Sequence, residues 1–344
     1  MSTFTHPFIW CLLSAALFGL SPAACKILLS TNTSPIVLAS LLYLGAGCAT
    51  APFSLHAAEK PTPSEWLRVA LAICFGGILG PIFLMVGLSS SSAGDTSLLL
   101  NAESVTTVAL GWLLFKEHLS LHIVAASLLT VFGGICLTTS SQWTMDSGSL
   151  WIIAACLCWG MDNHVTAVID RLSPTQVTCI KGLVSGGFNA GLALYLGVAW
   201  GDIWFVLIGL AIGAICYGLS MVLYVSGAQQ LGATPAQMVF STAPFWGVLA
   251  AWSVLGEPIY IRQLAASGFM IAALFVLYRE RHGHIHCHAS INHIHWHHHR
   301  DGHHEHDHPK PVHKGLMGWH HHSHQHAAIE HNHGHRSDIH HRHH

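Results

Sequence analysis

"GWLLFKEHLSLHIVAAS" (residues 111–127) and "AWSVLGEPIYIRQLAAS" (residues 251–267) lie over one another at a constant shift of 140. Trp112 matches Trp252, Glu117 matches Glu257, and Ala125-Ala126-Ser127 matches Ala265-Ala266-Ser267. Near the start of each half, "LFGLSPA" (17–23) lies over "CWGMDNH" (158–164) at a shift of 141. The chain is an internal duplication, and the number of helices in each copy decides its architecture. A membrane-spanning helix needs about 20 apolar residues. Such runs recur at 7–29, 35–55, 66–88, 96–115, 120–140, 149–169, 175–199, 203–225, 234–255 and 260–278. The separators, among them "STNTSP", "HAAEKPTPSE", "SSSSAGD" and "LGATP", carry loop punctuation. Each copy holds five runs, and an odd number makes the second copy enter the membrane from the opposite side. The expected fold is an all-α membrane protein of ten transmembrane helices. Residues 1–140 and 141–278 form two inverted five-helix repeats, and 279–344 a histidine-rich tail without regular structure. Inverted repeats are common among secondary transporters, whose sites lie near the midplane between the halves.

Composition agrees. The chain is 51% hydrophobic and only 9% charged, against about 25% charged in soluble domains. A net charge of −2 without a basic stripe excludes nucleic acid as a partner. The ten cysteines form no CxxC pair and sit mostly in apolar runs, so they read as small buried hydrophobes. "MSTFTH" lacks the positive region of a secretory signal, and the apolar run after it reads as a retained first helix. With a cytoplasmic N-terminus, Lys60, Arg68, Lys116, Arg171, Arg279 and Arg281 fall on the inner side and only Lys26 and Arg262 on the outer. That bias places both termini in the cytoplasm of a bacterial-type inner membrane.

"NAESVTTVALGWLLFKEHLS" (101–120) and "STAPFWGVLAAWSVLGEPIY" (241–260) resemble the fourth-to-fifth helix signature of the EamA family in the drug/metabolite transporter superfamily. The resemblance covers roughly residues 10–278 and implies ten helices, cytoplasmic termini and export of a small solute. "CWGMDNHVTAVIDRLSPTQVTCIKGLVSGGFN" (158–189) followed by a histidine-rich tail resembles a nickel- and cobalt-associated bacterial branch of that family.

Ionisable groups inside a bilayer cost about 2.5–3.5 kcal/mol each at a helix centre on insertion scales, so they usually face the bundle interior or a pathway. The candidates for a transport pathway are Glu103, Asp162, Asn163, His164 and Lys181. Asp162 either lines the pathway or makes a structural ion pair. His164 is a ligand or a satisfied polar residue between helices. Asp162 and His164 are two residues apart and do not share a helix face, so one ion cannot take both without an irregular helix. Glu103 is a proton or cation acceptor, or fixes the fourth helix by a hydrogen bond. Lys181 either snorkels or pairs with Asp162 or Glu103, and an acid and base in one cavity suit a zwitterion better than a bare metal ion. Glu117 and Glu257, with Trp112 and Trp252, mark the repeat; the glutamates read as loop or helix-start hydrogen bonds. The pairs Gly76-Gly77, Gly133-Gly134 and Gly186-Gly187 read as close-packing positions.

Five of the 31 histidines, His6, His56, His118, His122 and His164, precede Arg281; the other 26 follow it. In "HGHIHCH" they alternate, so an extended chain puts His282, His284, His286 and His288 on one side. Neutral imidazole binds Ni, Co, Cu and Zn. His293, His295, His297, His298, His299, His303, His304, His306 and His308 extend the series at irregular spacing, which points to many exchangeable sites for Ni, Co or Zn. No resident cofactor is required.

No phosphate-binding loop is present, so ATP hydrolysis is not the energy source, and an enzyme is disfavoured. The leading expectation is a gradient-driven exporter linked to nickel or cobalt; the alternative is an exporter of an amino acid or other metabolite whose tail buffers or senses metal. The expected partners are a small solute or metal ion and the lipid bilayer, with homodimerisation left open.

Overall fold

The structure, a computed structural model, describes residues 5–30, 33–54, 61–115, 121–138, 147–167, 169, 171–231 and 239–278, and the tail stretches 282–288, 291–297, 320–326 and 329–335. The described helices of the body fall in ten successive runs. The first is α1 (Thr5–Gly19) with α2 (Ser21–Leu29), and the second α3 (Pro35–Ser54). The third joins α4 (Pro63–Ala72), a π-helical segment (Ile73–Leu79) and α5 (Gly80–Ser90). The fourth is α6 (Ala93–Leu99) with α7 (Ala102–Phe115), the fifth α8 (Leu121–Thr138). The second half follows the same order: α9 (Ser147–Ala167), α10 (Pro174–Tyr195), then α11 (Ile203–Ile212), a second π segment (Gly213–Leu219) and α12 (Ser220–Leu231). It ends with α13 (Ala243–Ser253) and α14 (Ile261–Tyr278). Among the described residues six stretches are long and apolar enough to cross a membrane: Pro7–Leu29, Pro35–Ser54, Pro63–Ser90, Ala93–Leu114, Pro174–Tyr195 and Ile203–Gly227.

The duplication is visible in the irregularities as well as in the order. The two π segments are 140 residues apart, the shift found in the sequence. The fourth run breaks at Leu100-Asn101, and the ninth at Ser241-Thr242. Packing follows a pseudo-twofold: α3 lies on its counterpart α10 and α8 on its counterpart α14, while α6 of the fourth run lies on α13 of the ninth. The first and third runs are exchanged instead, α1 against α12 and α5 against α9.

Local chemistry explains several boundaries. Thr62 and Glu65 make a capping box at α4, with Glu65 N–H reaching Thr62 Oγ1 at 3.3 Å and Thr62 N–H reaching Glu65 Oε2 at 2.8 Å. Ser173 and Gln176 repeat the motif at α10. Pro63 and Pro174 each occupy the first helical position, where a missing N–H costs nothing. The first π segment ends just before Pro81. Gly80 N–H bonds to Phe75 O five residues back, and the next donor in that series would be Pro81, which has no N–H. Gly76 O is thereby released from the helix, and Tyr43 Oη and Trp159 Nε1 (3.0 Å) both donate to it.

Glycine lets helices approach closely where the expected pairs require it, but unequally. A side chain at Gly186 would meet Leu44 N at 2.6 Å, at the α3–α10 contact, whereas Gly187 and Gly134 face open space.

The tail differs from the expectation of no regular structure. Four strands are present, β1 (His282–His288), β2 (Ile291–His297), β3 (His320–His326) and β4 (Ile329–His335), paired antiparallel as β1 with β4 and β2 with β3. Alternation of histidine with other residues has the strand period, and pairing satisfies the backbone groups an extended chain leaves open. His298, His299, His303, His304, His306 and His308, and also Glu117, lie outside the described residues.

Candidate functional site: a cavity at three helix breaks

Three interruptions meet at one cavity. Its walls are Phe18, Gly19 and Pro22 from the α1–α2 break; Ser97, Leu100, Asn101, Glu103 and Ser104 from the α6–α7 break; and Phe240, Ser241, Ala243 and Pro244 at the start of α13. Pro22 and Pro244 stand four residues after Phe18 and Phe240, so each removes the donor that an α-helix would supply to those carbonyls. At the other break the backbone tightens: Asn101 N–H bonds to Leu98 O and Ser104 N–H to Asn101 O, both at 3.1 Å. Thr242 N–H to Val239 O (3.1 Å) and Phe245 N–H to Thr242 O (3.0 Å) repeat this pattern 141 residues later. Irregular backbone at membrane depth is tolerated where it is buried in protein or lines a cavity.

The cavity is apolar with one acidic corner. Phe18 and Phe240 stack at 5.5 Å between ring centroids, and Tyr224 continues the row at 4.8 Å from Phe240. Glu103, in the first turn of α7, takes a 2.9 Å hydrogen bond on Oε1 from Asn163 Nδ2 of α9. Asn163 Nδ2 also reaches Thr107 Oγ1 at 3.3 Å. The Asn163 bond to Glu103 falls on Oε1, and Glu103 and the buried Asn101 share the cavity wall. Helices α7 and α13 both begin at this cavity, which adds the positive ends of two backbone dipoles.

Of the five residues expected on the pathway, Glu103 alone lines the cavity, and Asn163 touches it through Glu103. Asp162 and Lys181 are paired with each other outside its lining: Lys181 Nζ donates to Asp162 Oδ2, Thr166 Oγ1 donates to Oδ1 at 3.0 Å, and Asp162 is buried while Lys181 is largely so. The pair lies on Gly76, where any side chain would collide with it. His164 is buried, its Nε2 2.8 Å from Thr107 O. Sequence reasoning missed Phe18, Pro22, Asn101, Phe240 and Pro244; the available signal was a proline inside each of two apolar runs.

The repeat-marking residues are unlike one another. Trp252 Nε1 donates to Gln263 Oε1 at 3.1 Å, whereas Trp112 is 56% exposed. Glu257 does cap a helix start, that of α6 in the other half: its Oε1 accepts from Ala93 N–H at 2.8 Å and its Oε2 from Gly94 N–H at 3.1 Å. Among the described side chains no cluster of three or more His, Cys, Asp or Glu could hold a metal ion.

An internally duplicated helical bundle with broken helices around a central cavity defines a multi-pass membrane transporter. The EamA-like transporter family model matches residues 6–140 and again 146–279, once per repeat, and the chain belongs to this family. It is 24% identical over 285 residues to an uncharacterized transporter of Methanothermobacter thermautotrophicus, covering 76% of this chain and 82% of that one. It is 25% identical over 171 residues to a WAT1-related chloroplastic protein of Arabidopsis thaliana, covering 45% of this chain and 39% of that protein. One solved crystal structure superposes with a TM-score of 0.57 at 15% identity, covering 80% of this chain and 96% of that chain, a likeness of fold.

Proposed function

We propose that the protein is a gradient-driven exporter of a small zwitterionic solute, of amino-acid type, with ten membrane crossings and both termini cytoplasmic. The observation that carries this reading is that Glu103 and Asn101, at the start of α7, line one cavity with Phe18 and Phe240. A carboxylate suits an ammonium group, an amide donor and two helix starts suit a carboxylate, and the aromatic wall suits an apolar side chain. Glu103 also serves as the group that takes up a coupling proton when the solute leaves. Flux of a radiolabelled amino-acid panel in everted vesicles tests the proposal. Uptake that depends on a proton gradient and is lost in Glu103→Gln supports it; flux indifferent to Glu103 overturns it.

The second reading, export linked to nickel or cobalt, is favoured by the tail. In the strand register His282, His284 and His286 stand opposite His335, His333 and His331, and His293, His295 and His297 opposite His324, His322 and His320. Neutral imidazole is a good ligand for Ni, Co or Zn, so a tail this rich in histidine suits such ions. Under the first reading the same tail is a metal buffer or sensor. A metal panel run beside the amino-acid panel separates them: metal flux without amino-acid flux would replace the first reading by the second.

A further inference from the structure

The duplication builds one polar site in two versions. At the shift of 141 that matches residues 17–23 to 158–164, Ser21 corresponds to Asp162. At the shift of 140 between the two π segments, Tyr217 corresponds to Gly77. In the charged version both Asp162 oxygens have partners, Lys181 Nζ and Thr166 Oγ1, and the aspartate lies over the bare backbone of Gly76. In the neutral version a serine opens α2 and a tyrosine stands on the second π segment. Ser21 is close enough to act on the Tyr217 hydroxyl. Even so, among the described residues neither Ser21 Oγ nor Tyr217 Oη makes a hydrogen bond, and both are buried. Tyr43, whose ring lies 5.8 Å from that of Tyr217, directs its own hydroxyl to Gly76 O. Leaving a buried hydroxyl without a partner destabilises a fold, so two together call for a group that supplies one.

The two hydroxyls adjoin the cavity wall. Ser21 stands in the chain between the lining residues Gly19 and Pro22, and the Tyr217 ring meets that of the lining residue Phe18 edge-on, 5.7 Å between centroids. Two other buried oxygens lack partners, Ser185 Oγ and Asn189 Oδ1, but they belong to α10 at Gly77, away from that wall. We infer that Ser21 and Tyr217 form a carboxylate subsite behind Phe18, joined to the cavity when the Phe18 ring turns aside. Both hydroxyls donate to a solute carboxylate, and the start of α2 adds the positive end of a backbone dipole at Ser21. They add to the donors that the amino-acid reading gives the carboxylate, while Glu103 holds the ammonium group. The ligand named here rests on that reading; the place of the subsite rests on the two unpartnered hydroxyls. The repeats have thus diverged in function: the charged version is satisfied within the protein, and the neutral one waits for a ligand.

The test is thermal unfolding of the full chain in detergent at constant ionic strength, with acetate and propionate as carboxylate probes beside the amino-acid panel. Without ligand, Tyr217→Phe and Ser21→Ala should leave the midpoint unchanged or raise it, because each removes a buried hydroxyl that bonds to nothing. With acetate or propionate, each should raise the concentration for half-maximal stabilisation about fivefold, the effect of one lost hydrogen bond. Glu103→Gln should keep the acetate response and lose the amino-acid response. The inference is overturned if either hydroxyl variant lowers the ligand-free midpoint, since the hydroxyl then has a structural partner such as a bound water. It is also overturned if both variants respond to the probes as the parent does, or if no carboxylate probe stabilises the parent. A parent stabilised by acetate but by no amino acid overturns the amino-acid reading and leaves the subsite standing.

Discussion

Asn163 on α9 donates from Nδ2 to Oε1 of Glu103 on α7 at 2.9 Å, and this bond sets the acidic corner of the cavity. It holds one carboxylate oxygen against the sixth helical run. Glu103→Gln should lower proton-driven flux at least about tenfold while membrane insertion is unchanged. Asn163→Ala should raise the solute concentration for half-maximal flux more than it lowers the maximal rate, because Glu103 stays present but is no longer oriented. Initial rates over a range of solute concentrations in proteoliposomes check both.

The Asp162–Lys181 pair predicts a stability effect distinct from a transport effect. Removing one member of a buried pair leaves an uncompensated charge and costs about 3–5 kcal/mol. Asp162→Asn should therefore lower the thermal unfolding midpoint in detergent, and Asp162→Asn with Lys181→Met should recover most of the loss. If the single variant unfolds as the parent does, the pair is not structural.

Adjacent glycines on α10 should respond oppositely to alanine. At Gly186 the new methyl meets Leu44 N at 2.6 Å and Ser40 O at 3.0 Å, so the α3–α10 contact must open at a cost of about 1–3 kcal/mol. Gly187 meets nothing within 4 Å. Its replacement should leave stability unchanged or add up to about 1 kcal/mol through helix propensity. Thermal melts of the two variants in one detergent compare them directly.

The tail's metal uptake should follow imidazole titration. Coordination requires the neutral ring, whose ordinary pKa is about 6.5. Ni binding to the full chain should therefore be strong at pH 7.5 and fall as the pH drops through about 6, because protons compete for the same nitrogen. Isothermal calorimetry at both pH values checks this, and deletion of residues 279–344 should remove the signal while leaving maximal solute flux unchanged.

The duplication was legible in the sequence because a register shift of 140 imposes the same local chemistry twice. Trp, Glu and Ala-Ala-Ser recur at that spacing, and the two π segments then fall the same distance apart. Apolar run length fixed the helical body, since a bilayer accepts no other open backbone. Charge inside the apolar runs marked Glu103, Asp162 and Lys181 as unusual, but could not say which of them faces the cavity. That depends on α9, α10 and the first π segment meeting, so that Lys181 reaches Asp162 over the bare surface of Gly76. The cavity itself is tertiary. Pro22 and Pro244 announce two broken helices, but only folding puts Phe18 and Phe240 in contact across 222 residues. The pairing of β1 with β4 and of β2 with β3 likewise joins distant segments, and the sequence read alone gave a tail without regular structure because no local pattern encodes such a pairing.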